Sequence, residues 1–543
     1  MADTKREIER KYEASAGAEL PDLTGVAGVT AVVDRGVTEL DAVYYDTPEL
    51  RLVADGITLR RRTGGDDEGW HLKFPVSVGI RDEIRAPLAD TLPGALAGLV
   101  RSRTRDAELV PVVRLRSSRD VRHLADDQGE LLAELSVDSV RAERLTEGGG
   151  ETSWAEIEVE LADDADPTLL DAVEERLRKA GVLPSPATSK LARALEETAP
   201  GSAEAETAAG AAAAPDEADA SARAGKKTKA AKAAKAAQTV RDRGARLGPK
   251  DAGEFVLAYL REQRDAIVAL DPAVRRDLPD AVHQMRVATR RMRSAFKTYR
   301  KIVDREVTDP LGDELKWLAG ELGAARDQEV LAERLRDRID ALPGTLLLGP
   351  VRGRLRIWGN AHRADSRRRS VAVLDTERYL ALLGALDALL DEPPLLDAAT
   401  AKATDALPKA VIKDYGRLAD RVAHALGLPA GHDRDLAMHD ARKAAKRARY
   451  AAEAATPALG KPAGKFAKRM KAVQTVLGDH QDSVVARDTL RDLAIQAHAA
   501  GESTFTWGLL YGHEQASAAE RERELPAVWQ KASRPRLRVA LAS

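Results

Sequence analysis

Residues 7–11 read Glu-Ile-Glu-Arg-Lys. Side chains alternate along an extended strand, so Glu7, Glu9 and Lys11 share one face. Two carboxylates and an ammonium turned inward would be costly to bury without a task. The run EIEVEL at 156–161 repeats the device: Glu156, Glu158 and Glu160 fall on one face, Ile157, Val159 and Leu161 on the other. Arg60 and Arg62 align in GITLRRR, and Lys73 sits in WHLKF. Strands that turn acids and bases inward make sense around a wet, charged cavity. Mixed signs there fit a phosphate chain with a divalent cation, the bases holding phosphoryl oxygens and the carboxylates holding the ion.

A second constellation lies far downstream. Residues 283–293 read HQMRVATRRMR, and residues 439–449 read HDARKAAKRAR. His283 matches His439, Arg286 matches Arg442, Arg290 matches Lys446, Arg291 matches Arg447 and Arg293 matches Arg449. At about 100° per residue, His283, Arg286, Arg290 and Arg293 form a helical strip roughly 80° wide, with Met285, Ala288 and Met292 on another face. His439, Arg442, Lys446 and Arg449 repeat it. Apart from Glu453, four residues after Arg449, no acid stands at the matching i+4 positions, so the strips are largely not neutralised along their own helices. Arginine forks bind phosphate oxygens in pairs, and histidine donates when mildly acidic conditions charge it. Aromatics for stacking are missing and no nucleic-acid-binding motif is present, so an anionic backbone without bases fits better than DNA or RNA.

The elements that must position these residues fall into two classes. Residues 1–197 carry short alternating runs such as DAVYYDT, PVVRLRSSR and GELLAELSVDSV between Gly, Pro and Asp clusters, the mark of an antiparallel sheet or barrel. PTLLDAVEERLRKAG (167–181) has helical period and ends at Gly181. Residues 198–247 have little to bury and read as an Ala/Lys-rich flexible linker, acidic first and then basic at Lys226, Lys227, Lys229, Lys232 and Lys235. Residues 248–540 read as helix throughout, with breaks expected at Pro272, Pro310, Pro350 and Pro393–Pro394. The duplication extends here too, since LGAARDQEV (322–330) corresponds to LGDHQDSVV (477–485).

Bulk properties bound the answer. The chain has 543 residues, 32% of them charged, yet a net charge of only −2, so the two signs are segregated locally. Cysteine is absent, which removes disulfides and thiolate chemistry. The charged start MADTKREIERKYEA and the lack of a run of about 20 apolar residues lead us to expect a cytoplasmic protein without a membrane partner.

The motifs carry two resemblances. EIERK, YYDTPELRLVADGITLRRR and EIEVEL together resemble the CYTH domain, a member of the triphosphate tunnel metalloenzymes, across residues 3–197. The resemblance implies a closed eight-stranded antiparallel tunnel barrel with helices. It implies that Glu7, Glu9 and Lys11 are catalytic, and that Glu7, Glu9, Asp138, Glu156 and Glu158 face Mg²⁺ or Mn²⁺. It further implies that Lys11, Arg60, Arg62, Lys73, Arg119 and Lys190 bind the triphosphate substrate. Glu83 is expected to face inward with Arg81 and Arg85. Arg114 or Arg116 replaces Arg119 if the strand carries a bulge, and Glu160 is an extra acidic candidate. VHQMRVATRRMRSAF followed by LGAARDQEV resembles the CHAD domain, helical and internally duplicated, over about 290 residues. That implies two pseudo-symmetric helical bundles with a basic groove for inorganic polyphosphate. The implied contacts are the two strips, flanked by Arg291, Lys297, Lys443 and Arg447. Lys446 opposite Arg290 puts a point charge where its counterpart has a fork, which predicts uneven halves.

The fold class expected is therefore multidomain, β with helices (α+β) followed by all-α. The function expected is metal-dependent hydrolysis of inorganic triphosphate, with the helical region targeting polyphosphate, in the cytoplasm or at polyphosphate granules. Two alternatives stay open at this point: a non-enzymatic polyphosphate-binding protein, and a tunnel enzyme acting on thiamine triphosphate or ATP (adenylate cyclase type).

Overall fold

The computed structural model describes residues 3–14, 20–199 and 247–542, apart from the side chains of 3, 324–327 and 360–366. The chain divides into two compact units, within residues 1–223 and 224–543. Most of the expected linker, with its lysine run from Lys226 to Lys235, lies outside the described residues.

The first unit is a closed barrel of eight antiparallel strands: β1 (Asp3–Ala14), β2 (Ala31–Asp46), β3 (Thr58–Thr63), β4 (Gly69–Ser77), β5 (Ile80–Ala86), β6 (Val110–Ala125), β7 (Leu131–Arg144) and β8 (Glu151–Leu161). Around the barrel they run β1-β5-β4-β3-β2-β6-β7-β8. The runs picked out by alternation are all strands. Alternation alone does not single out β5, whose RDEIR core holds one apolar residue, or the first half of β2, where a bulge at Gly36 shifts the register.

This barrel inverts the usual distribution of polarity. Its outward faces are apolar and covered by helices. Ile157, Val159 and Leu161 of β8 pack on Leu169, Leu170, Val173 and Leu177 of a helix at Thr168–Lys179. Leu59, Trp70, Leu72 and Ile84 lie under Leu52 of a short helix, Arg51–Ala54, and Leu96, Leu99 and Val100 of another, Gly94–Thr104. In chain order these three are α1 (Arg51–Ala54), α2 (Gly94–Thr104) and α3 (Thr168–Lys179). Burying each such large side chain contributes about 1.5–3 kcal/mol. With the apolar faces committed outward, the charged faces must line the interior.

Along β2, β6, β7 and β8 the inward face changes from charged to apolar, at Ala42, Tyr44, Leu115, Val140, Ala142 and Trp154. Against this apolar stretch packs α4 (Lys190–Glu197), through Leu191 and Ala194. Ser189 caps α4, its hydroxyl accepting from the Ala192 N–H at 3.0 Å. That cap and the Leu191 anchor fix the direction in which Lys190 leaves the helix.

The second unit is helical: α5 (Ala252–Arg275), α6 (Ala281–Thr298), α7 (Arg305–Glu321), α8 (Gly323–Asp340), α9 (Val351–Leu374), α10 (Glu377–Asp391), α11 (Ala403–Gly427), α12 (His432–Leu459), α13 (Lys461–Ala499), α14 (Phe505–Ala532) and α15 (Pro535–Ala542). Shifting the first half by about 155 residues superposes its order on the second. Helix α5 corresponds to α11, α6 to α12, and α9 to α14. The pair α7 and α8 corresponds to the single helix α13: the first copy breaks at Leu322–Gly323, whereas Leu477–Gly478 lies inside a continuous helix. Both copies feed both hydrophobic cores. The larger holds Met285 and Met292 of α6 beside Met438 and Ala445 of α12. The smaller joins Leu335 of α8, Leu490 of α13 and Trp507 of α14.

Two of the expected breaks are corrected. Pro272 and Pro310 lie inside α5 and α7. Each removes one backbone hydrogen bond, but the apolar stripe continues in phase past it. Leu311, Leu315 and Leu318 keep α7 seated on the core. The breaks at Pro350 and Pro393–Pro394 fall between helices.

Leu191→Ala tests the α4 anchor. Leu191 is fully buried, so its truncation is expected to cost about 2–5 kcal/mol and to lower the melting temperature of the barrel transition measured by circular dichroism.

Candidate functional site

The barrel interior encloses a cavity of about 410 Å³, reached by side chains from every strand. From β1 come Lys5, Glu7, Glu9 and Lys11; from β3, Arg60 and Arg62; from β4, Lys73; from β5, Arg81, Glu83 and Arg85. Arg119 of β6, Glu158 and Glu160 of β8 and Lys190 of α4 join this lining, as do Arg35, Asp66, Asp67 and Glu134. The structure thus brings together nearly all the residues singled out from sequence. It also resolves the two register alternatives. Arg119 points inward, while Arg114 and Arg116 point outward toward Asp41. Glu160 lines the cavity and pairs with Lys5 at 2.5 Å.

Asp138 and Glu156 stand behind the cavity wall, almost fully buried. Lys190 Nζ lies 2.9 Å from Asp138, 2.6 Å from Glu156 and 2.6 Å from Glu158. Arg119 forms a fork on Asp138, at 2.7 and 2.6 Å, and reaches Glu158 at 2.8 Å. The oxygens of these three acids lie within 4.8 Å of one another, and in this arrangement the Lys190 ammonium sits at their centre. On the facing wall, Lys73 Nζ contacts Glu7 at 2.6 Å and Glu83 at 3.5 Å. Lys11 contacts both Glu9, at 3.3 Å, and Glu158.

The electrostatics differ from wall to wall. Burial pushes Glu7 above the usual carboxylate range, more than Lys73 draws it down. Burial also pushes Glu9 up, but Lys11, Lys73 and Lys190 together hold it below that range. Burial followed by Arg60 and Arg119 pulls Arg62 down to about 9, although Arg62 pairs with Asp67. The Nε donors of Arg60 and Arg62 are buried and make no hydrogen bond. A buried donor left open is costly unless an acceptor arrives, so this wall is shaped for an anion.

His71 was not found by motif. It is buried, with Nδ1 2.9 Å from Glu83 Oε1 and Nε2 2.8 Å from the Asp67 carbonyl. Both ring nitrogens face acceptors, which favours the charged ring, while burial pulls its pKa down to about 4. In either state it anchors Glu83. Strand parity is the signal that reveals it, because His71 stands two residues before Lys73. The same parity from Glu7 reveals Lys5.

In the helical unit, α6 and α12 pack directly against each other and bring the two strips together. Burial followed by the charges of Arg442, Arg290 and Arg449 pulls Lys446 down to about 7, so its neighbours include the residue it matches in the other copy. Arg290 Nε donates to the Tyr450 hydroxyl at 3.3 Å. Glu453 partly offsets Arg291, at 3.6 Å, and Arg449, at 3.2 Å. Arg442 lies 3.7 Å from Asp482. The repeated Leu-Gly pair explains the seating of two strip arginines. Arg286 packs on Gly323, where a Cβ would come within 2.7 Å of the guanidinium, and Arg442 packs on Gly478. His439 Nδ1 contacts Gln481 at 2.6 Å, and Lys443 is exposed beside Asp440 at 3.2 Å. His283 is exposed near the start of α6. Arg293, Lys297 and Arg447 line a further basic cavity. The Nε donors of Arg291, Arg293 and Arg442 are buried without a hydrogen bond.

Comparisons with known proteins agree with both halves. The CYTH domain model matches residues 5–195, and the CHAD domain model matches residues 258–491. An uncharacterized protein of Mycobacterium tuberculosis is 38% identical over 536 residues, covering 95% of this chain and 94% of its own. Human thiamine-triphosphatase is 40% identical over 82 residues, 15% of this chain and 31% of that protein. The crystal structure of a CHAD domain from the plant Ricinus communis is 27% identical, with a TM-score of 0.41, covering 55% of this chain and 95% of that one. CYTH proteins are triphosphatases or related phosphoryl hydrolases and cyclases, and they depend on a metal. Among the described residues, no helix is long and apolar enough to cross a membrane.

Lys446 generates a pH prediction. With its pKa near 7 in the free chain, it carries a full charge only below that value, and a bound polyanion raises its pKa. Affinity for a phosphate polyanion is therefore expected to hold below pH 7 and to fall as pH rises above it. Titration calorimetry between about pH 6 and 9 reads the effect, and Lys446→Arg is expected to flatten it.

Proposed function

The chain belongs to the CYTH–CHAD fusion proteins, and on that premise we propose that its barrel hydrolyses inorganic triphosphate while its helical unit binds inorganic polyphosphate. The observation that carries the first half is one cavity whose lining interleaves basic donors with carboxylates. Arg60, Arg62, Lys73 and Arg119 present donors, two of them open, to an anion. Glu7, Glu9 and Glu158 present carboxylates beside it.

The donor set fits a hard divalent cation. It offers clustered carboxylate oxygens and no thiolate, which suits Mg²⁺ or Mn²⁺. Glu7, Glu9 and Glu158 would hold the ion, with Asp138 and Glu156 close behind. When bound, the ion neutralises phosphoryl oxygens and supplies an activated water. Arg60, Arg62 and Lys73 orient the chain of phosphates, and Arg119 and Lys190 offset charge that builds on the departing oxygens. Lys11, between Glu9 and Glu158, keeps those two carboxylates ionised. Thiamine triphosphate is the second reading, favoured by the 82-residue similarity to thiamine-triphosphatase.

In the helical unit, two convergent strips with open arginine donors support a phosphate-chain groove. Binding there would raise the concentration of chain phosphates near the tethered barrel and favour a location at polyphosphate granules.

Two measurements test the reading. Phosphate release with Mg²⁺ across triphosphate, long polyphosphate, ATP and thiamine triphosphate is expected to be greatest for triphosphate, and Glu7→Gln or Glu9→Gln is expected to lower it at least about 100-fold. No release from any of the four would leave a binding protein. Polyphosphate affinity is expected to weaken with salt. Replacing Arg286, Arg290, Arg442 and Lys446 together by Ala is expected to reduce it about 1,000-fold or more, and unchanged affinity would exclude the strips.

A further inference from the structure

Beside the start of the second strip, three helices of the second unit bring together Asp435 of α12, His480 of α13 and Glu522 of α14. His480 is completely buried. Its Nε2 lies 3.2 Å from Asp435 Oδ1 and 3.5 Å from Glu522 Oε1. Neither ring nitrogen forms a hydrogen bond of acceptable geometry. A histidine kept only as a polar core residue would use at least one ring nitrogen in such a bond.

The carboxylates are oriented from behind. Arg487 takes the far oxygen of Asp435, Oδ2, at 2.8 Å, and Arg434 takes the far oxygen of Glu522, Oε2, at 2.8 Å. Each arginine thereby turns the other oxygen, Oδ1 or Oε1, toward Nε2. Outer hydrogen bonds that fix the direction of a ligand are typical of metal centres. Donor atoms about 2.0–2.1 Å from a shared ion stand roughly 3.0–3.5 Å from one another, and the two separations here fall in that interval.

The duplication supplies an internal control. At the corresponding positions the first copy has Pro279, Ala325 and Arg367. None offers a metal ligand, and one is a cation. The cluster is therefore a property of the second copy and not a by-product of the repeated fold.

We propose that Asp435, His480 and Glu522 form a site for a d-block divalent cation, with Zn²⁺ the best match to one imidazole and two carboxylates. Three protein donors leave a fourth position for water. The ion would cross-link α12, which carries the second strip, to α13 and α14, which close the smaller core. The site is independent of the reaction proposed for the barrel, and its failure would leave that reading untouched.

The test counts metal on the full-length protein. Wild type, His480→Gln and Glu522→Gln are stripped with chelator, dialysed against Zn²⁺ and assayed by inductively coupled plasma mass spectrometry. Wild type is expected to retain one equivalent more than either variant, since the barrel's carboxylates are the same in all three. Co²⁺ in place of Zn²⁺ is expected to give visible ligand-field bands in wild type that weaken in the variants. Equal stoichiometry and equal Co²⁺ spectra in folded variants would overturn the site. Should His480→Gln lose its helical circular dichroism, Glu522→Gln and Asp435→Asn carry the same comparison.

Discussion

Everything in the first unit depends on burying many charges inside a closed barrel. A charge taken from water is tolerated only with a partner and well-aimed hydrogen bonds. The barrel meets that demand by interleaving the two signs within and between its strands: Lys73 with Glu7, Lys11 with Glu9 and Glu158, Arg119 with Asp138. On the Arg60–Arg62 wall the pairs with Glu83 and Asp67 leave both Nε donors open. Those open donors, not the overall charge of −2, are what a phosphate ligand would meet. The apolar outward faces and the helices that cover them hold this arrangement together, because they leave the charged faces nowhere else to go.

The helical unit uses charge differently. Its strips lie on helices whose other faces are buried, so Met285 and Met292, or Ala441 and Ala445, seat the helix while the basic residues gather at the seam. Repulsion among Arg290, Arg442, Lys446 and Arg449 is only partly relieved by Glu453 and Asp482. The two copies are unequal beyond the Lys446 exchange. Position 453 is an acid in the second copy, and its counterpart at 297 is a lysine. One half of the seam is therefore more positive than the other.

Much of this was legible in the sequence, for a specific reason. A strand with period two reveals which residues share its interior face once one of them is identified, so Glu7, Glu9 and Lys11 also locate Lys5. Helical period places the strips equally well. Four features were not legible. Whether Arg119 or Arg116 points inward depends on strand register, which only pairing with β7 and Asp138 fixes. His71 belongs to no motif and is defined by its contacts with Glu83 and Asp67. Pro272 and Pro310 look like helix breaks, but packing on both sides outweighs one lost hydrogen bond. The Asp435–His480–Glu522 cluster joins positions up to 87 residues apart on three helices, a distance no spacing rule spans.

Lys190 carries one more consequence. Its ammonium lies among Asp138, Glu156 and Glu158, and it is delivered by a helix that also closes the apolar end of the barrel. The chain thus brings its own counter-ion to the acids that most need one. Folding of this unit does not have to wait for a cofactor to arrive, so newly made protein can mature when divalent ions are scarce. Metal supply would then govern how fast the barrel works rather than how much of it accumulates.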